Sequence, residues 1–352
     1  MAAHKVKRKK TRNNQSKKRK EFPLKTVLYV LGGLVISFLL YRAVVLLSFK
    51  VDCSNIKTDM LSEESSLVNT FFVFQEDEKI VNMELITYSS DQKRLLRIKI
   101  PTDMYVTEES VDDFPVSSIN SVGEFLEYGS GKEYTIKYMS DLLGMKIDNY
   151  VWLINSSKTV DEFRSKLSVM SILFDFGYSK ELRGNVYSNL PILNLIKEIN
   201  FINQAISNYQ YEEMNISDCC IENIVISSQH QEPIFKVGKF DEELSKYIDE
   251  LVSKDVERER VNVEVYNGSN VSGLASEYAR KVRHTGCRIL RFDNAPNIYE
   301  KSVIYVPEAN AYTNSLSLIR DVVGENVEVR YERPTFITTG DIIILLGTDI
   351  AM

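Results

Sequence analysis

The stretch VNVEVYNGSNVSGLASEYARK, residues 261–281, passes from alternating apolar positions through two glycines into apolar positions at helical spacing. It reads as strand, turn and helix. The spacing G-x-x-x-x-G after a strand imitates a phosphate-binding loop, but Leu274 and Ala275 stand where that loop needs Lys and Ser or Thr. Leu274, Ala275, Tyr278, Ala279 and Val282 form one apolar face, so packing against a sheet accounts for the helix. Asn267 suits the first position of a tight turn, Gly268 a positive φ, and Ser272 the N-cap. The candidate binding residues are Asn267, Gly268, Ser269, Ser272 and Gly273, because free amides at a helix start favour an anion. Turn and cap chemistry account for the same residues without a ligand.

Downstream the pattern predicts strand 287–292, strand 302–306, helix 312–323, strand 326–331 and strand 341–346, a small α/β sandwich with two βαβ units. Upstream, the run KDVERERVN, residues 254–262, offers no core candidate before Val261 and marks a domain boundary near residue 258. The segment before it reads as strands in TFFVF, IVNMELITYSS and KRLLRIKIP, the last two joined by a hairpin turn at residues 89–92. A helix capped by Gly144, a strand from Tyr150 to Ile154, two further helical stretches (160–176 and 191–207), a β pair at 221–237 and a helix at 240–254 complete it.

The formal net charge of −6 conceals a strong asymmetry. Residues 1–25 carry eleven Lys or Arg against Glu21 alone, and residues 26–41 then contain no charged side chain. With the apolar run resuming after Arg42, residues 26–49 would rise about 36 Å as a helix, enough for a hydrocarbon core about 30 Å thick. The basic tail sets the N-terminus in the cytoplasm and the C-terminus outside. Topology and contact with anionic lipid explain the tail, so no nucleic acid is expected. The expected organisation is tail 1–25, transmembrane helix 26–49, stalk 50–67, a reduced α/β domain 68–257 and a small α/β domain 258–352.

Few residues suggest chemistry. Cys53, Cys219, Cys220 and Cys287 contain no C-x-x-C, and an extracytoplasmic location permits a disulfide, for example from Cys53 to one of the adjacent pair, without assigning it. His230 falls in a turn and His284 near a helix end, positions of surface or capping residues. No metal or cofactor is expected.

Residues 261–349 resemble the LytR C-terminal domain in Val263–Ser269, in Gly273-Leu274-Ala275, in the turn at Gly286 and in the closing Asp341–Asp349. The preceding domain resembles a reduced LytR-CpsA-Psr domain: MELITYSSDQKRLLRIKIPTDMYV follows its strand–turn–strand pattern, Ser118–Ser121 echoes its Lys-Ile-Asn segment, and Gly144–Val151 follows its Leu-Gly-Ile-x-Ile-Asp-x-Tyr-Val segment. That family transfers a glycopolymer from a polyprenyl pyrophosphate carrier to peptidoglycan, using arginines around the pyrophosphate. Here Thr102 stands where the resemblance implies an arginine, beside Asp103, and Asn82 stands near an implied metal-associated acid. Residues 155–190 are short and hold only Arg164 and Arg183, so the implied arginine series is missing.

The expectation is therefore a membrane-anchored envelope protein that is not an enzyme and that binds or scaffolds cell-wall polymer, polyprenyl-linked glycan or envelope proteins. Two alternatives stand beside it. One is phosphotransfer of lipid-linked glycopolymer to peptidoglycan, with Arg94, Arg97, Arg164 or Arg183 replacing the missing residues; the other is a single-pass assembly or division factor.

Overall fold

The computed structural model describes residues 24–47, 67–108, 111–127, 129–156, 158–227, 230–324 and 326–350. The expected stalk lies outside them, as does Cys53. The chain divides into Met1–Ser48 and Phe49–Met352. In the first unit, α1 (Leu24–Leu47), whose charged residues are Lys25 and Arg42, is long and apolar enough to cross a membrane.

The second unit begins with β1 (Leu67–Glu76), β2 (Lys79–Ser89) and β3 (Arg94–Ile100), an antiparallel meander with the expected hairpin. A side pair, β4 (Tyr105–Glu108) and β5 (Val111–Pro115), leads to α2 (Ile119–Phe125) and α3 (Gly131–Leu143). Then come β6 (Asn149–Ile154), α4 (Val160–Lys166), α5 (Val169–Phe174), α6 (Phe176–Leu182), β7 (Val186–Ser188), α7 (Ile192–Asn208) and β8 (Gln210–Asn215). The six-stranded order is β7-β6-β1-β2-β3-β8. β1 is buried on both faces from Val68 to Phe74, the pattern of a central strand covered on both sides. Phe71 and Val73 join Ile119, Tyr134 and Met139 on one side, while Phe74 meets Phe163 of α4 edge-on and Tyr88 meets Phe201 of α7 on the other. Each buried phenylalanine contributes roughly 2–3 kcal/mol by its apolar area.

Helix α8 (Ile216–Cys219), strands β9 (Ile221–Ser227) and β10 (His230–Phe235), and α9 (Val237–Leu251) follow, with β9 and β10 extending β4 and β5 into a second sheet. His230 thus opens a strand. The expectation that the charged run 254–262 holds no core candidate before Val261 is corrected. Residues Lys254–Glu259 form α10, Val256 is buried, and the Glu259 carboxylate accepts from Asn314 N and Ser315 N. One inward apolar residue and the bound Glu259 carboxylate seat this short helix.

The last part contains β11 (Asn262–Asn267), α11 (Leu274–Arg283), β12 (Arg288–Asn294), β13 (Val303–Tyr305), α12 (Thr313–Val323), β14 (Glu328–Arg330) and β15 (Ile342–Leu346). β11-α11-β12 and β13-α12-β14 are the two expected parallel units, joined by β15, which lies parallel to β11 and antiparallel to β13.

Where this part meets the central one, α11 grips the C-terminal end of α3. Arg280 donates to Asp141 O and Leu142 O at 2.9 and 2.8 Å and to Asp241 at 2.8 Å; Lys281 binds Asp141 Oδ1 at 2.5 Å. Cationic groups at carbonyls ending a helix are favoured by its dipole. Gly144 has a φ of 62°, and a Cβ there would lie 3.0 Å from Arg280, so both the cap and the close approach require glycine. His284, expected as a surface or capping residue at a helix end, is the C-cap of α11 and is buried, with Nδ1 2.7 Å from Gly144 O; burial lowers its pKa against the pull of Asp241.

An acid is also inside. Glu198 of α7 is buried and accepts from Thr70 Oγ1 at 2.7 Å and from the Tyr88 hydroxyl. Burial raises its pKa, so it contributes stability below its unfolded pKa of about 4.3 that is lost as pH rises through the folded value. Glu198→Gln keeps an acceptor and removes the buried charge. Its melting temperature should exceed that of the parent at pH 8 and approach it at pH 4; a parallel pair of curves would show that Glu198 is not the titrating group.

Candidate functional site

The residues after β1, β3, β6 and β8 and those opening β2 lie at one end of the six-stranded sheet, because Phe74 pairs with Asn82, Met83 with Ile100, Gln75 with Ile154 and Lys99 with Asn215. A cleft of about 350 Å³ opens there. Its floor follows from register. Glu84 is opposite Lys99, and Glu213 is opposite Arg97, so alternation presents all four charges on one face.

Arg97 is buried and donates from Nε to Glu84 Oε2 at 2.6 Å and from Nη2 to Glu84 Oε1 at 2.9 Å, a two-pronged pair. Its Nη1 donates to Asp161 Oδ2 at 3.0 Å. Burial opposes the guanidinium charge, yet the bonds to Glu84 outweigh it and the pKa lies above that of an ordinary arginine. Asp161 stands in the first turn of α4, which a capping box fixes: Glu162 N donates to Thr159 Oγ1 at 3.3 Å and Thr159 N to Glu162 Oε2 at 3.2 Å. Its side chain is 55% exposed. Burial raises the Asp161 pKa, but Arg164 and then Arg97 bring it below the usual carboxylate value. Arg164 is buried, bonds Asp161 Oδ1 through Nη2 and Asn203 Oδ1 through Nη1 at 2.8 Å, and leaves Nε without a partner. Lys99, half exposed, donates to Glu213 Oε1 at 2.6 Å and holds that carboxyl below its usual range.

One exposed carboxylate thus bridges two fixed guanidinium groups at the cleft. An incoming oxyanion can take its place by exchanging one set of charge-assisted hydrogen bonds for another. The cleft carboxylates Glu84 and Asp161 are committed to arginines, a poor donor set for a hard divalent cation. Among the described residues no cluster of three His, Cys, Asp or Glu has metal-holding geometry.

Of the arginines named as substitutes, Arg97 and Arg164 meet here. Arg94 is at the other end of β3, paired with Glu250, and Arg183 is exposed after α6. Asn82 lines the cleft, and Pro101, beside Thr102, closes it; Asp103 is exposed. Glu84 and Asp161 were not legible as site residues. The signals for them were the alternation of β2 and the Thr159-x-x-Glu162 cap.

The five residues selected from the opening stretch lie away from the cleft, between β11 and α11. Asn267 Oδ1 accepts from Ser269 N at 2.9 Å and from Ser269 Oγ at 2.7 Å, and its Nδ2 donates to Val271 O at 2.7 Å, so the expected turn forms. Two details are corrected. Gly268 needs no positive φ; a Cβ there would lie 2.8 Å from the Tyr299 ring and 3.0 Å from Leu346 O. Ser272 is not the cap: Gly273, with φ 79°, precedes the helix. The cysteine expectation also changes. Cys219 and Cys220 are bonded to each other, and Cys287 is a buried thiol whose pKa burial raises.

The family model described as LytR cell envelope-related transcriptional attenuator matches residues 260–349. No curated protein matches the chain by sequence. Among solved structures, "TagT bound to LI-WTA" is 13% identical over 58% of this chain and 98% of its own, with a TM-score of 0.39. "LytR-CPS2A-psr family protein YwtF (TagT) with bound octaprenyl pyrophosphate lipid" is 12% identical over 58% and 98%, at 0.38, and B. subtilis TagV 11% over 53% and 97%, at 0.37.

The expectation that the chain is not an enzyme is corrected. It rested on the missing arginine series, whereas Arg97 and Arg164 converge on Asp161 at the cleft. Residues 260–349 of this chain match the LytR C-terminal family model, and they follow a mixed α/β body and a helix of membrane-spanning length.

Proposed function

We propose that the chain works in cell-envelope assembly as a phosphotransferase, taking the anionic head of a lipid-linked glycopolymer into the Arg97–Lys99 cleft and passing the polymer to peptidoglycan. The observation that carries this reading is the convergence of Arg97 and Arg164 on one displaceable carboxylate, at the sheet end where the resemblance sets the pyrophosphate. The ligands named for TagT, wall teichoic acid and octaprenyl pyrophosphate, are of the same chemical kind. The basic tail supports a topology with the N-terminus in the cytoplasm and the body outside.

In the transfer, a sugar hydroxyl of peptidoglycan forms a bond to the phosphorus joined to the polymer and gives up its proton to water, and the bond from that phosphorus to the polyprenyl phosphate breaks, releasing polyprenyl phosphate. Arg97 and Arg164 hold the charged oxygens after Asp161 swings out. Lys99, on its flexible stem, moves from Glu213 to the leaving phosphate.

Binding of octaprenyl pyrophosphate to the full chain in nanodiscs tests this. Lys99→Ala should weaken binding about tenfold, the value of one charged hydrogen bond. Asp161→Asn should tighten it about fivefold, since the competing anion is lost. Absence of binding, or weaker binding by Asp161→Asn, would overturn the reading.

A further inference from the structure

Helices α5 and α6 present Met170, Phe174 and Phe176 to solvent, 65%, 53% and 56% exposed. Ile172, Tyr178 and Leu182 of the same helices are buried, so inward residues hold the outward ones in place. Large apolar side chains clustered at a surface mark a contact. Lys166, Lys180 and Arg183 stand exposed in the same stretch. Its two acids are engaged: Asp175 caps α6 by accepting from Tyr178 N at 2.9 Å, and Glu181 pairs with Lys158. An apolar tip with a basic rim matches an anionic bilayer surface, where aromatic and methionine side chains enter the headgroup boundary and Lys and Arg remain at the phosphates.

We infer that the α5–α6 surface docks the body onto the anionic bilayer that anchors the same chain, and so brings the cleft to headgroup level. What the cleft then receives rests on the function proposed above; the docking stands on its own observations. The position fits. Residues 155–185 leave the sheet at Ile154 and return at Val186, which pairs with Leu153, so both ends of the excursion lie at the cleft end of the sheet.

The test uses the one native tryptophan, Trp152, which is fully buried, as a silent background. Full-length Phe174→Trp and Phe176→Trp are reconstituted in phosphatidylglycerol liposomes with or without brominated acyl chains. Bromine should reduce the added emission about twofold, as expected for an indole at the acyl boundary. Ile337→Trp, 92% exposed in the C-terminal segment, should be unaffected. Unquenched Phe174→Trp and Phe176→Trp, or equal quenching of Ile337→Trp, would overturn the docking. Octaprenyl pyrophosphate binding by the same variants separates the two ideas: binding without quenching removes the docking alone, and quenching without binding removes the cleft reading alone.

Discussion

Arg97→Ala should lower the stability of the body by about 3–5 kcal/mol, the cost of stranding a buried carboxylate without its partner. Arg97 holds Glu84 through both prongs of its guanidinium and tethers both oxygens of Asp161 from the same group, so alanine removes four charge-assisted hydrogen bonds at once. The effect is read as a fall in the urea midpoint of the detergent-solubilised chain. Glu84 is buried and cannot turn to water, so most of the loss comes from keeping its carboxylate desolvated and unpaired. The double variant Glu84→Gln/Arg97→Met removes both charges and should recover most of the loss while abolishing ligand binding. A single variant with an unchanged midpoint would show that Glu84 finds water or a proton without Arg97.

Arg280→Ala should cost about 2–4 kcal/mol, from loss of charged hydrogen bonds to Asp241 and to the terminal carbonyls of α3. Its signature is local. The variant should be cut by protease between α9 and β11 at concentrations that leave the parent intact, because Arg280 ties the last βαβ part to α3 and α9. Arg280→Lys keeps the charge but cannot serve a carboxylate and two carbonyls together, so it should fall between the two. Equal protection of parent and alanine variant would mean that the shared apolar core, in which Val252, Val256 and Val282 take part, holds the junction alone.

Much of the architecture is legible in local pattern. The hairpin of β2 and β3 follows from alternation around a polar turn, the cap of α3 from Gly144, and the two βαβ units from the change of period at Gly268–Gly273. The candidate site is not legible in that way. Arg97 and Arg164 are 67 positions apart in the chain, and neither belongs to a motif. They meet only because Asp161 is presented by a capped helix packed on the face where β3 exposes Arg97.

The sequence by itself determined what depends on local pattern: a membrane-length apolar run, strands and helices from their periods, and a C-terminal family marked by Tyr266-Asn267-Gly268-Ser269 and Asp341–Asp349. Tertiary structure decided what depends on distance across the sheet. The register of β2, β3 and β8 turned scattered charges into one network around the buried Arg97–Glu84 pair, and a close approach by Tyr299 rather than a backbone angle decided the need for Gly268. Hydrophobic period reports which face a residue takes, but the partner it meets there is set by strand order and register, which no local stretch encodes.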